Sequence, residues 1–227
     1  MVLATEFQQT IEMKNLHINN NHWNTLTNIR HHMFEYLLVF SCDKLTEALV
    51  HNVKRYFEEN YGCRNAVNLI PHLNLFYCNI HESKADRLVQ GFQKVARHVQ
   101  PFKVSFTSFE QYEQGTFYID LESKSSGNVL EIVRKLRSEV AAHVRQLAPA
   151  EYKFCDDPHL TVARNMSSWQ TQRAASDWLH KDFDASFEAQ ELLLLRRSLI
   201  DGSRYETVSR FPLLGLPEGQ FVQASLF

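Results

Sequence analysis

Glu35-Tyr36-Leu37-Leu38-Val39-Phe40 is a short, dense apolar run of strand formers, and it predicts a buried β-strand. Asp43 then stands as a helix cap, and Leu45, Leu49, Val53 and Phe57 recur at helical spacing until Gly62 ends the helix. The run from Val67 to Cys78 predicts a strand, and Ser83 opens a second helix through Leu88, Phe92, Val95 and Val99, stopped by Pro101. Phe102-Lys103-Val104-Ser105-Phe106 and Phe117-Tyr118-Ile119-Asp120-Leu121 alternate apolar with polar, as half-buried strands do, with Gly115 in the turn between them. A third helix is expected from about Asn128 nearly to Pro149, with Leu130, Val133, Leu136, Val140 and Val144 on one stripe. Ser167 or Ser168 caps a fourth, on which Trp169 and Trp178 are expected to pack. A strand from Phe187 to Leu195 then turns through Asp201-Gly202 into another around Tyr205 to Phe211.

This order of elements is an α+β pattern with an approximate internal duplication. Its two halves are marked by one repeated phrase, Pro71-His72-Leu73-Asn74-Leu75 and Pro158-His159-Leu160-Thr161-Val162. The copies lie too far apart for a solenoid repeat and at a distance suited to two lobes. On a strand, residues two apart share a face, so His72 projects with Asn74 and His159 with Thr161. Two such pairs facing one cleft supply two imidazoles for acid and base work and two neutral donors for a charged oxygen, a combination suited to phosphoester chemistry. One histidine alone in a strand is more often structural; the matched pair reverses that expectation.

Composition narrows the function further. The chain has 227 residues, 44% of them hydrophobic, enough for one large domain or two intimate lobes, and its 7 Gly and 6 Pro argue against long disordered regions. A formal charge of −2 gives no global footprint for wrapping a nucleic acid, which favours a small nucleotide or an RNA end. Cys42, Cys63, Cys78 and Cys155 form no CxxC pair, and no apolar stretch is long enough to span a bilayer, so a cytoplasmic protein is expected. His17, His22, His31 and His32 lack partners at metal-ligand spacing. Asp156 and Asp157 read as an exposed turn before Pro158, and Cys155 as an incidental thiol.

The two phrases, their separation, the run His159-Leu160-Thr161-Val162-Ala163-Arg164 and the closing hairpin with Leu192 to Arg197 and Tyr205 resemble the two-histidine (2H) phosphoesterases. The likeness is to the LigT-like group of RNA 2′,3′-cyclic phosphodiesterases and enzymes first described as 2′-5′ RNA ligases, and it covers roughly residues 35–214. It implies two pseudo-twofold-related lobes, each an antiparallel sheet with helices on its outer face, around a central cleft: residues 34–227 as a single bilobal domain, residues 1–33 as an N-terminal extension. It also implies hydrolysis of a cyclic phosphate on a nucleotide or RNA end to a 2′-phosphate, without metal or other cofactor, membrane or obligate protein partner. By resemblance His72 and His159 are catalytic, with His72 as acid and His159 as base, although the sequence itself does not order them. Asn74 and Thr161 hold the phosphate, and Arg164, Arg197 and Tyr205 contact substrate. Family members carry a hydroxyl residue where Asn74 stands, which opens the alternative of a nucleotide- or RNA-binding module with reduced catalysis. A 2′-5′ RNA ligase activity is a further alternative. In a regular strand Arg164 faces away from Thr161.

Overall fold

In the computed structural model, which describes residues 32–147, 151–200 and 204–218, the first strand is β1 (Met33–Ser41). The order continues α1 (Lys44–Tyr61), β2 (His72–His81), α2 (Asp86–Ala96), β3 (Phe102–Tyr112), β4 (Thr116–Leu121) and α3 (Ser123–Gln146). It closes with β5 (Tyr152–Phe154), β6 (His159–Ala163), α4 (Ser168–Trp178), β7 (Ser186–Ala189), β8 (Glu191–Ser198) and β9 (Glu206–Pro212). The caps are where local chemistry demands them. Asp43 accepts from the Thr46 amide and Gly62 takes the left-handed conformation at φ 71°, while Ser167 and Gln170 close a reciprocal capping box on α4.

Two antiparallel sheets result, one ordered β5-β2-β1-β8-β9 and the other β6-β4-β3-β7. Read as β9-β8-β1-β2 and β7-β3-β4-β6, their orders correspond strand for strand, and the two His strands, β2 and β6, are equivalents. Helices α1 and α4 pack on β6 and β3; α2 lies beside α3, with α2 on β8 and β9 and α3 on β2, β5 and β3. The continuous core beneath the helices includes Tyr36, Leu38, Phe40, Phe57, Phe76, Phe92 and Phe117, each worth roughly 2 kcal/mol or more in apolar area removed from water. On β1 the alternate residues Leu37 and Val39 face the other way and meet Leu193, with Tyr77, Leu195 and Tyr205 packed against them. That second, smaller cluster floors one side of a cleft. Among the described residues no helix is long and apolar enough to cross a membrane.

Tertiary contacts move several boundaries expected from pattern alone. Leu45 is 69% exposed and Leu49 lies at the surface; the side of α1 that packs carries Thr46, Val50, Val53, Lys54, Phe57 and Tyr61. The strand expected from Val67 begins at His72, because Pro71 has no amide to continue a ladder. A 3-10 turn, Glu82–Lys84, capped by His81, precedes α2, which starts at Asp86. Helix α3 starts at Ser123 despite its Ser/Gly-rich first turns, since the buried Ser125 hydroxyl accepts the Ser105 amide at 2.9 Å and ties that turn to β3. The strand expected from Phe187 to Leu195 is two strands in different sheets, Phe187 pairing with Val104 and Leu193 with Val39. Trp178 packs against Phe57 and Phe109 as expected, whereas Trp169 is exposed beneath the Arg173 guanidinium. The Asp201-Gly202 turn and residues 1–31 of the expected N-terminal extension lie outside the described residues.

Candidate active site

Each His phrase folds in the same local way. His72 is the first residue of β2 and His159 the first of β6, each just after a proline. The Nδ1 of His72 lies 2.7 Å from the Ile70 carbonyl, and the Nδ1 of His159 lies 2.9 Å from the Asp157 carbonyl, two residues back in both cases. A carbonyl only accepts, so each Nδ1 carries the proton and donates, leaving Nε2 as the working nitrogen. Both strands also bulge at the phrase's final aliphatic residue. Leu38 pairs with Phe76 and Val39 with Asn74, skipping Leu75; Phe117 pairs with Ala163 and Tyr118 with Thr161, skipping Val162.

The bulges correct the expectation for Arg164. A skipped residue reverses the alternation of faces, so Arg164 comes round to the side of His159 and Thr161, and its counterpart Tyr77 to the side of His72 and Asn74. Both line the cleft.

The cleft holds about 650 Å³ between the sheets, and His72, Asn74, His159, Arg164, Arg197 and Tyr205 all border it. Thr161 borders an adjoining recess together with Lys54, His72, Asn74 and Arg164. Of the candidate site residues, all but Thr161 border the cleft, and Thr161 borders the recess beside it. Residues that the sequence did not single out complete it. Tyr112 donates its hydroxyl to the Asp157 carboxylate while its oxygen lies 3.2 Å from His159 Nδ1, and the Tyr118 ring stands 4.8 Å from the His159 ring. Glu35, only 8% exposed, accepts from the Tyr205 hydroxyl and from Arg197 Nε at 2.8 Å, and the Arg197 guanidinium lies over the Tyr205 ring. The single charge inside the first strand's apolar run, Glu35, was the available signal for this cluster. Asp156 and Asp157 form the expected exposed turn; Asp157 is in addition a structural partner of the site, and Asp156 borders the cleft beside it. Cys155 also borders the cleft, where burial pushes its thiol up to about 11 and keeps it protonated at neutral pH.

The two histidines sit in different fields. Burial, then the nearby Lys54 and Arg164 charges, pull His72 down to about 4 against the favourable carbonyl bond from Ile70. His159 is lowered by burial, opposed by its carbonyl bond to Asp157 and by the Asp157 and Asp120 charges. Lys54, 2% exposed, is drawn down to about 8 by burial and by Arg164, and donates to the Leu69 carbonyl at 2.8 Å. Asn74 Oδ1 is buried with no hydrogen-bond partner, a cost of about 1–3 kcal/mol, and the Asn74 side chain lies close enough to His72 to favour its protonated form against the burial and the cations. Among the described residues no group of three or more His, Cys, Asp or Glu is placed to hold a metal ion.

The arrangement agrees with comparisons to known proteins. The family model for the 2′-5′ RNA ligase superfamily matches residues 43–201. An RNA 2′,3′-cyclic phosphodiesterase of Geobacillus stearothermophilus is 24% identical over 157 residues, 66% of this chain; the chain spans about half that relative's length, 47%. Among solved structures, Escherichia coli LigT complexed with 3′-AMP superposes with a TM-score of 0.56 at 15% identity, over 80% of this chain and 98% of LigT. TT0787 of Thermus thermophilus superposes with a TM-score of 0.59 at 14% identity, over 80% of this chain and 98% of its own. These structural likenesses establish the fold. Two antiparallel sheets of corresponding order, a cleft between them and a family match across most of the described chain place this protein in the 2′-5′ RNA ligase superfamily of two-histidine phosphoesterases.

Proposed function

We propose that the protein opens 2′,3′-cyclic phosphates of nucleotides or RNA ends to 2′-phosphates, using His72 and His159 as its acid–base pair. The observation that carries this reading is the identical anchoring of the two rings, each through Nδ1 to a backbone carbonyl, beside one cleft. Opening the ring requires one group to take a proton from water as its oxygen bonds to phosphorus, and another to protonate the departing O3′ as the P–O3′ bond breaks. Two imidazoles supply both transfers. Thr161 and the Asn74 amide nitrogen donate to the nonbridging oxygens, Arg164 adds positive charge, and Arg197 with Tyr205 forms a planar surface for a nucleoside. The relative named as an RNA 2′,3′-cyclic phosphodiesterase supports the substrate class.

Purified protein incubated with nucleoside 2′,3′-cyclic phosphates is expected to yield 2′-phosphates. The His72→Ala and His159→Ala variants should each lose about 10²–10⁴-fold. Full activity in either variant refutes the mechanism.

One observation favours a second reading. Asn74 borders the recess beside Thr161 where the resembled family has a hydroxyl, and its Oδ1 is buried without a partner, which suits a binding module of reduced catalysis. Asn74→Thr decides: turnover that appears only in the variant, with binding unchanged, makes the natural protein a binder.

A further inference from the structure

We infer that Lys54 is a specificity-determining residue for charge on phosphorus: its buried ammonium makes the site favour a phosphomonoester dianion, the nucleoside 2′-phosphate product, over singly charged phosphodiesters. The inference rests on the phosphodiesterase reading and adds to it a cation that lies outside both repeated phrases.

Its first basis is a charge without a counter-charge. Lys54 is 2% exposed, yet among the described residues no carboxylate lies within ion-pair distance of it. Its bond to the Leu69 carbonyl at 2.8 Å occupies one N–H and cancels no charge. A buried ammonium is costly unless paired, and a methionine would fill the same space without that cost. The groups acting on it are the Arg164 cation and the thiol of Cys42, which burial pushes up to about 12 and keeps neutral. The missing negative charge therefore comes from a bound molecule.

Its second basis is where the ammonium stands. Lys54 reaches from α1, which packs on β6, and borders the recess together with His72, Asn74, Thr161 and Arg164. Leu69, His72, Asn74 and Arg164 border the cleft as well, so the recess opens from the floor of the phosphate site. It measures about 10 Å³, room for one water-sized group and too little for a whole phosphate. A nonbridging oxygen has that size. With phosphorus in the cleft, one such oxygen enters the recess beside the Thr161 hydroxyl, between the charges of Lys54 and Arg164.

Ring opening changes the charge that these cations meet. A cyclic diester carries one negative charge. Water adds across its P–O3′ bond, oxygen to phosphorus and a proton to O3′, and the resulting 2′-monoester ionises again at about pH 6. Arg164 alone balances the diester, whereas Arg164 with Lys54 balances the monoester dianion. Lys54, at about 8, keeps its charge at pH 7. The product is therefore held more tightly than the substrate at neutral pH.

Isothermal titration calorimetry on the full chain compares a 3′-deoxynucleoside 2′-monophosphate with its phosphate methyl ester, the same nucleoside with one charge fewer and no O3′ to re-form a ring. At pH 7 the monoester is expected to bind on the order of 10-fold more tightly, and Lys54→Met should remove most of that ratio. A purely structural lysine would weaken both ligands together. An unchanged ratio in Lys54→Met, equal affinities in the natural protein, or a monoester that does not bind overturns the inference. If Lys54→Met does not fold, the natural protein is titrated from pH 7 to about pH 9, where the monoester stays a dianion, Arg164 stays charged, and His72 and the Cys42 thiol stay neutral. Lys54 loses its proton as pH rises through about 8, so the advantage of the monoester should shrink over that range, and a constant advantage overturns the inference. Turnover of a nucleoside 2′,3′-cyclic phosphate without the charge preference sinks this inference alone. The preference without turnover supports it and counts against the phosphodiesterase reading.

Discussion

The same substitution, glycine to alanine, should act with opposite sign at two positions of this fold. Gly115 turns β3 into β4 at φ +80°, and a Cβ built there collides with the Met166 carbonyl oxygen. That oxygen belongs to backbone already tied to the turn by the Met166 amide, which donates to the Gly115 carbonyl at 2.9 Å. Alanine in the left-handed region costs about 1–2 kcal/mol, and forced overpacking typically adds about 1–3. Gly115→Ala should therefore lose about 2–5 kcal/mol, a fall in Tm of at least about 4 °C for a domain of this size. Gly127 is exposed inside α3 with no atom within 4 Å of its built Cβ, so Gly127→Ala should gain about 0.5–1 kcal/mol from a less flexible unfolded chain. Thermal melts of both variants beside the natural protein read the difference. The Gly115 loop also abuts the segment bearing Arg164, so Gly115→Ala should lower kcat/KM in material that still folds. A melting temperature for Gly115→Ala within about 1 °C of the natural one refutes the steric argument.

Three further outcomes are expected. Tyr112→Phe removes the hydroxyl between Asp157 and His159 Nδ1, and should lower kcat more than it raises KM while leaving the far-ultraviolet circular dichroism unchanged; an unaltered kcat counts against that contact. The folded His72 lies at about 4 against an ordinary 6.5, so its contribution to stability is present above pH 6.5 and is lost as pH falls from 6.5 through 4. Urea melts of the natural protein should therefore lose up to about 3 kcal/mol more than those of His72→Gln between about pH 7.5 and pH 4, and parallel losses exclude the effect. Glu35→Ala leaves Arg197 and Tyr205 without their shared acceptor, so it should cost about 1–3 kcal/mol and raise KM for a cyclic nucleotide; Glu35→Gln, which keeps an acceptor, should recover part of both.

How much was legible in the chain follows from which interactions are local. The caps at Asp43, Gly62 and Ser167 were readable because a side chain or a left-handed glycine satisfies groups a few residues away. The run from Phe187 shows no break in its pattern, because the switch from β7 to β8 depends on which sheet each half joins. Ser125 anchors the unexpected start of α3 through a partner 20 residues distant, a contact that propensity does not encode. The contact of Tyr112 with Asp157 is illegible for the same reason, its partners being 45 residues apart.

By itself the sequence determined the repeated phrase, and with it the pairing of His72 with Asn74 and His159 with Thr161, since the period of a strand needs no knowledge of what surrounds it. Tertiary structure decided what each pair works with. The bulges at Leu75 and Val162 brought Tyr77 and Arg164 onto the working face, and the packing of α1 set Lys54 beside His72 while β4 set Asp120 opposite His159. Sequence repetition made the histidines alike. Electrostatic fields act through space, between groups remote in the chain, and so only the fold made them different.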